Sequence, residues 1–127
     1  MRIMIADDAG FIREILREVY TNAGHEIVAE VSSGPDAVLV ALNLRPDLVI
    51  MDIVMPGLNG LEAATEITSQ DTEIAVAATS SLSTDWIEEN AKKAGCFYFL
   101  QKPFTKEQLL RVIEMVNIKK GYELKHG

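Results

Sequence analysis

Asp7 and Asp8, Asp52, Thr79 and Lys102 are the residues of this chain best equipped for chemistry, and each closes or follows a short apolar run. Ile3-Met4-Ile5-Ala6 leads into the acid pair, and Leu48-Val49-Ile50-Met51 leads into Asp52 and then Met55-Pro56-Gly57. Ile74-Ala75-Val76-Ala77-Ala78 leads into Thr79, and Phe97-Tyr98-Phe99-Leu100 precedes Lys102-Pro103. Continuous apolar runs of this length read as strands buried on both faces. In open α/β sheets the carboxyl ends of such strands form the crevice where ligands bind. Three carboxylates that converge there repel one another unless a cation relieves them. All-oxygen ligation suits Mg²⁺, which takes one or two carboxylates directly and keeps waters. Calcium is the second choice of ion, without EF-hand spacing to support it. His25 and His126 stand away from these strand ends, which argues against zinc. Three acids, a hydroxyl and one lysine describe a magnesium-dependent phosphoryl site.

Each residue also has a plain structural reading. Asp8 is a candidate N-cap for the helix that follows, and acids favour the positive helix end. Lys102 could be the cation of an ion pair, or a point charge that engages a phosphoryl group. Pro103 stiffens that turn and is compatible with a cis bond. Thr79 could serve only as a β-branched strand residue; with Ser80 and Ser81 it could donate to an oxyanion. Phe99, taken alone, reads as half-buried packing.

The elements that would position these groups follow a regular rhythm. Strand-like runs begin near Arg2, Glu26, Asp47, Glu73 and Phe97, at intervals that fit a turn, a helix and a second turn. Ile12, Ile15, Leu16, Val19 and Tyr20 fall at helical spacing, with Gly24 as the stop. Ser33-Gly34-Pro35 opens a second helix. A third is predicted from Leu58 to about Ser69, and a fourth from Ser83 or Thr84 to Ala94, stopped by Gly95. Thr105 and Gln108 form a capping box for a fifth, carrying Leu109, Leu110, Val112, Ile113 and Val116. Residues 119–127 have no apolar period and are predicted to fray as a short tail. Five βα units predict one doubly wound α/β domain, a parallel sheet with helices on both faces.

At 127 residues, 48% hydrophobic, the chain is one domain with a sizeable core. Its net charge of −7 makes it a poor direct partner for nucleic acid. One cysteine, Cys96, excludes an internal disulfide and reads as a buried structural thiol in a reducing compartment. Met1-Arg2-Ile3 does not open a signal peptide, and no apolar run reaches membrane-span length. These features predict a cytoplasmic protein with no membrane association.

Asp7-Asp8, Asp52 with Met55-Pro56-Gly57, Gly60, Thr79 and Lys102-Pro103-Phe104, in this order and spacing, resemble the receiver domain of two-component response regulators. The resemblance covers residues 1–118 and is closest to stand-alone CheY-like receivers. It implies a (βα)5 flavodoxin-like sheet of order 2-1-3-4-5. It also implies that Asp52 takes a phosphoryl group from the phosphohistidine of a sensor histidine kinase or phosphotransfer protein. Asp8 would ligate Mg²⁺ directly and Asp7 through water, with Asp52 and the Val54 main-chain carbonyl completing the set. Lys102 and the Thr79 hydroxyl would hold phosphoryl oxygens, and Thr79 with Phe99 would form the switch that alters the face of the fourth helix, fifth strand and fifth helix. Such a protein catalyses its own phosphorylation and dephosphorylation but is not otherwise an enzyme. It would act on a downstream protein, as a monomer or a phosphorylation-promoted dimer. Val54 and Ser81 occupy positions that tune aspartyl-phosphate lifetime, and Phe99 lacks the hydroxyl of a tyrosine at the switch position. The resemblance leaves the pathway open between chemotaxis, phosphorelay shuttling and sporulation- or development-type signalling.

Two other functions would use some of the same residues. A haloacid-dehalogenase-like phosphohydrolase also uses Asp, Mg²⁺, Thr/Ser and Lys, but needs an acid two residues after its nucleophile, where Val54 stands. A phosphorylation-independent interaction module would have lost an acid, the threonine or the lysine, and all are present. Trp86, the single tryptophan, lies among Asp85, Glu88 and Glu89, so it reads either as core packing or as an exposed anchor for a partner.

Overall fold

Ten elements alternate along the computed structural model, which describes residues 1–55 and 59–126. They are β1 (Arg2–Ala6), α1 (Gly10–Asn22), β2 (Glu26–Val31), α2 (Gly34–Leu44), β3 (Leu48–Asp52), α3 (Gly60–Gln70), β4 (Ala75–Ser80), α4 (Asp85–Lys93), β5 (Tyr98–Gln101) and α5 (Lys106–His126). The strands form one parallel sheet in the order β2-β1-β3-β4-β5, as the doubly wound reading requires. The βα rhythm leaves β1, β3 and β4 in the middle. Every residue of β3 and β4 is buried.

Alternation along the strands divides the core. Met4, Ala6, Val49, Met51, Val76 and Ala78 face α2, α3 and α4, which meet them with Ala37, Ala41, Ala63, Ala64, Ile67 and Ala91. Ile3, Ile5, Leu48, Ile50, Ala75 and Ala77 face α1 and α5, where Leu16, Tyr20, Leu109, Val112 and Val116 are buried. Small alanines on the first side let three helices share the surface that two helices with larger side chains cover on the second. The buried Tyr20 hydroxyl donates to the Leu109 carbonyl at 2.9 Å and ties α1 to α5.

Local chemistry sets the helix ends. Ser33 and Thr84 accept from main-chain N–H groups of Asp36 and Ile87, capping α2 and α4. The capping box at α5 is reciprocal: Gln108 N–H donates to Thr105 Oγ1 at 3.1 Å, and Thr105 N–H donates to Gln108 Oε1 at 2.8 Å. Gly24 and Gly95 follow their helices at φ of 91° and 93°.

Three expectations change. Asp8 is not the N-cap of α1; that place belongs to Ala9, which has no side-chain acceptor, and Asp8 stands one residue outside, exposed. The third helix begins at Gly60 because Asn59 caps it, accepting from Glu62 N–H at 2.9 Å; Pro56, Gly57 and the expected start at Leu58 lie outside the described residues. The stretch expected to fray from Lys119 instead continues α5 as far as His126. An i,i+4 pair of Lys119 with Glu123 and an ion pair of Lys120 with Asp47 at 3.6 Å support it there. Among the described residues no helix is long and apolar enough to cross a membrane.

Candidate functional site

Parallel pairing brings the sequence-predicted residues to one edge. Asp52 is the last residue of β3, and Thr79 of β4 is its register partner. Asp7 follows β1 directly, its N–H bonded to the Val31 carbonyl of β2 at 3.0 Å. Each position is set by strand ladders rather than by free loops, and this is the end of the sheet where a crevice opens.

The carboxylate oxygens of Asp7, Asp8 and Asp52 lie within 4.8 Å of one another. Lys102 Nζ reaches across from the loop after β5, 2.8 Å from Asp7 Oδ2 and 3.1 Å from Asp52 Oδ2. Asp7 and Asp52 are buried, whereas Asp8 is exposed. The Lys102 main chain is held by its N–H to the Ser80 carbonyl at 2.7 Å, and the Lys102–Pro103 bond is cis, as the turn allowed. Ser80, buried beside Thr79, accepts from Leu82 N–H at 3.0 Å and so fixes the loop after β4.

Burial raises the Asp52 carboxyl above the ordinary aspartate value, and nearby Asp7 adds to this. The Val54 N–H, which donates to Asp52 Oδ1 at 2.9 Å, and the Lys102 ammonium oppose the rise without cancelling it. For Lys102 burial is the largest influence and favours the neutral amine, yet its bonds and attraction to Asp7 and Asp52 together outweigh it and raise the ammonium. Three carboxylates against one ammonium leave a deficit of positive charge. An all-oxygen set with one exposed member fits a hard divalent cation such as Mg²⁺. Phe99 is half-buried against the α2–α4 side of the core, and Val54 is exposed next to Asp52. His25 lies elsewhere, bonded to the chain's amino group at 2.8 Å.

Arg13 and Glu30 were invisible to sequence reasoning. Arg13 Nη1 donates to the Asp7 main-chain carbonyl at 2.7 Å, while its Nε lies 3.6 Å from Glu30, which also pairs with Arg17 at 2.7 Å. These contacts tie α1 and β2 to the backbone that carries the acid pair. Because the acceptor is a carbonyl, no residue type in the sequence could have signalled it.

Gly60 belongs to the family resemblance, and the structure gives its physical role. A Cβ there would lie 2.2 Å from the Asp52 carbonyl oxygen and 2.3 Å from Ile53 Cα, so only glycine lets α3 start against the end of β3. Cys96 is buried and its thiol is pushed up to about 12 by burial, consistent with the structural reading.

Comparison with known proteins places this arrangement. The family model described as response regulator receiver domain matches residues 3–114. The chemotaxis protein CheY of Thermotoga maritima is 39% identical over 116 residues, covering 91% of this chain and 94% of that protein. The transcriptional regulatory protein PdtaR of Mycobacterium tuberculosis is 40% identical over 114 residues, 90% of this chain and 55% of that longer protein. Among solved structures, a CheX–CheY–BeF3–Mg²⁺ complex from Borrelia burgdorferi superposes with a TM-score of 0.87 at 25% identity, over 91% of this chain and 88% of that one. With strand order, acid cluster and lysine in agreement with that match, the chain belongs to the response regulator receiver family and is a CheY-like receiver of two-component signal transduction.

Proposed function

We propose that Asp52 is the phosphoacceptor of this receiver and that its phosphorylation by a sensor histidine kinase or phosphotransfer protein changes the α4–β5–α5 face for a protein target. An Asp52 carboxylate oxygen attacks the phosphorus of a phosphohistidine, the P–N bond breaks, and the imidazole leaves with a proton from solvent. Charge neutralisation and in-line positioning carry such transfers. Lys102, already within 3.1 Å of Asp52, would move its charge to a phosphoryl oxygen, and the Thr79 hydroxyl would donate to another. Asp8, Asp7, Asp52 and the Val54 carbonyl would hold Mg²⁺, which when bound shields the reacting oxygens from mutual repulsion. Thr79 and Phe99 would relay the change to the partner face. Hydrolysis by a water in the same pocket would reset Asp52, so the chain would catalyse both its phosphorylation and its dephosphorylation.

The observation that carries this reading is the single lysine bridging Asp7 and Asp52 at a buried strand end. A structural relative crystallised with BeF3, Mg²⁺ and CheX supports both the ion and the acyl-phosphate chemistry. The test is intact mass after incubation with acetyl phosphate and Mg²⁺. One added phosphate is expected, absent in Asp52→Asn and after chelation of the metal; a phosphate that persists in Asp52→Asn would remove Asp52 from this role.

A further inference from the structure

An open cleft of about 600 Å³ lies between α4 and β5. Its β5 side is bordered by three half-buried aromatics at the sheet edge: Phe99, packed toward the α2–α4 core, and Phe97 and Tyr98, packed toward the α1–α5 core with their rings tilted at a centroid distance of 6.0 Å. The other wall is the flank of α4 that carries Asp85, Glu88 and Glu89, all exposed, with Lys92 at its end. None of these three acids joins an ion pair among the described residues, although Lys92 and Lys93 stand at helical spacing from Glu88 and Glu89. Asp85 and Glu88 complement the positive end of α4. That accounts for two acids on a helix; it does not account for three aromatics bordering the same cleft. Among the described residues β5 is an edge strand paired with β4 alone, so no further strand covers this side.

We propose that this cleft receives a basic segment of a protein partner, with an apolar side chain or guanidinium plane against Phe97–Phe99 and a Lys or Arg among Asp85, Glu88 and Glu89. The proposal rests on the output-face reading above and gives that partner its chemistry. Charge complementarity selects a cationic segment over an acidic one, since three acids face the cleft against one lysine. Aromatic faces hold a cation as well as an apolar group, which makes Arg the best-fitting residue. Trp86 is exposed but is not among the residues that line the cleft, so the anchor lies in the aromatics of β5 rather than in the tryptophan.

A randomised displayed-peptide library selected on the full chain, with and without beryllofluoride and Mg²⁺, tests this. Enriched peptides are expected to carry net positive charge with Arg or Lys beside an apolar residue. A synthetic peptide of that sequence should bind the Glu88→Lys/Glu89→Lys variant about tenfold more weakly. It should bind Glu14→Lys/Glu18→Lys, the same charge change on exposed positions of α1, within about twofold of wild type. Circular dichroism confirms that both variants are folded. Enriched acidic or neutral peptides, equal loss in the two variants, or no enrichment would each overturn the proposal. The phosphoacceptor reading is scored separately by the acetyl phosphate mass measurement. Phosphorylation of Asp52 without basic peptides leaves that reading standing and removes this one; the reverse result does the opposite.

Discussion

Asp52 and Glu89 both present a carboxylate from a regular element, β3 and α4, yet their surroundings differ in kind. Asp52 ends a strand buried on both faces, touches Lys102, and has its proton affinity raised by burial. Glu89 sits on the outer part of a short helix, open to solvent and without an ion-pair partner among the described residues. In the pocket, charge is desolvated and costs free energy, so it is poised to be relieved by a cation or a phosphoryl group. On α4, charge is solvated and nearly free, so it is available to select a partner without straining the fold. In the two roles proposed above, reactivity and recognition would draw on the same functional group, a carboxylate, through opposite environments.

Four variants probe that difference, in order of falling effect. Gly60→Ala forces a Cβ into the backbone under Asp52 and should cost about 3 kcal/mol of stability in urea titrations. It should also slow acetyl phosphate labelling by at least about tenfold, because the reacting carboxylate shifts. Retained stability would show that α3 can slide away without moving the site. Lys102→Ala leaves Asp7 and Asp52 facing each other with no ammonium, so the metal-free protein should lose about 2 kcal/mol. Added Mg²⁺ should restore much of it through mass action. An unchanged melting temperature without metal would place the pocket with the solvated acids after all.

The third probe is pH. Burial sets the folded-state proton affinity of Asp52 above that of the unfolded chain, whose carboxyl titrates near 3.8. The folded state thus takes up this proton first as pH falls, and the stabilisation it brings is fully present below the unfolded value and lost as pH rises through the folded one. Asp52→Asn mimics the neutral form. Without metal it should exceed wild type in stability at pH 7 by up to about 1 kcal/mol, and the gap should close on acidification toward pH 4 and below. A gap that widens on acidification, measured by urea unfolding across this range, would reverse the sign assigned here. Glu88→Ala with Glu89→Ala is the smallest effect: stability within about 0.5 kcal/mol of wild type and unchanged acetyl phosphate labelling.

The parts of this fold that the sequence displayed are those fixed by one-dimensional pattern. Apolar runs gave the five strands, and caps such as Thr105 with Gln108 gave helix boundaries, because each depends on residues a few positions apart. Strand order came through the resemblance, whereas the meeting of Asp7, Asp52 and Lys102, at sequence separations of 50 and 95 residues, was legible only through the rule that parallel strands bring their carboxyl ends to one edge. Asp8 stays open between cap and ligand in the sequence because an acid before a helix satisfies both rules, and only the structure removes the cap. Residues 119–126 looked unstructured for lack of an apolar period, yet a helix already anchored at Leu109, Val112 and Val116 propagates through polar residues at little cost. Arg13 escaped notice because its partner is a main-chain oxygen.

The Tyr20–Leu109 bond joins helices whose contacting residues are 89 positions apart, and it does so on one side of the sheet alone. On the other side α4 has nine residues and a single one, Ala91, fully buried. The two sides should therefore differ in how often they open. Amide protons of α4 should exchange with solvent deuterium through small local excursions, while those of α1 and α5 wait for disruption of a larger unit. Thr79 and Ser80 stand at the seam between these regimes, directly ahead of α4 in the chain. Under the proposed switch, a small free-energy change delivered there would fall on α4, the element least expensive to remodel, and the rest of the domain would keep its frame.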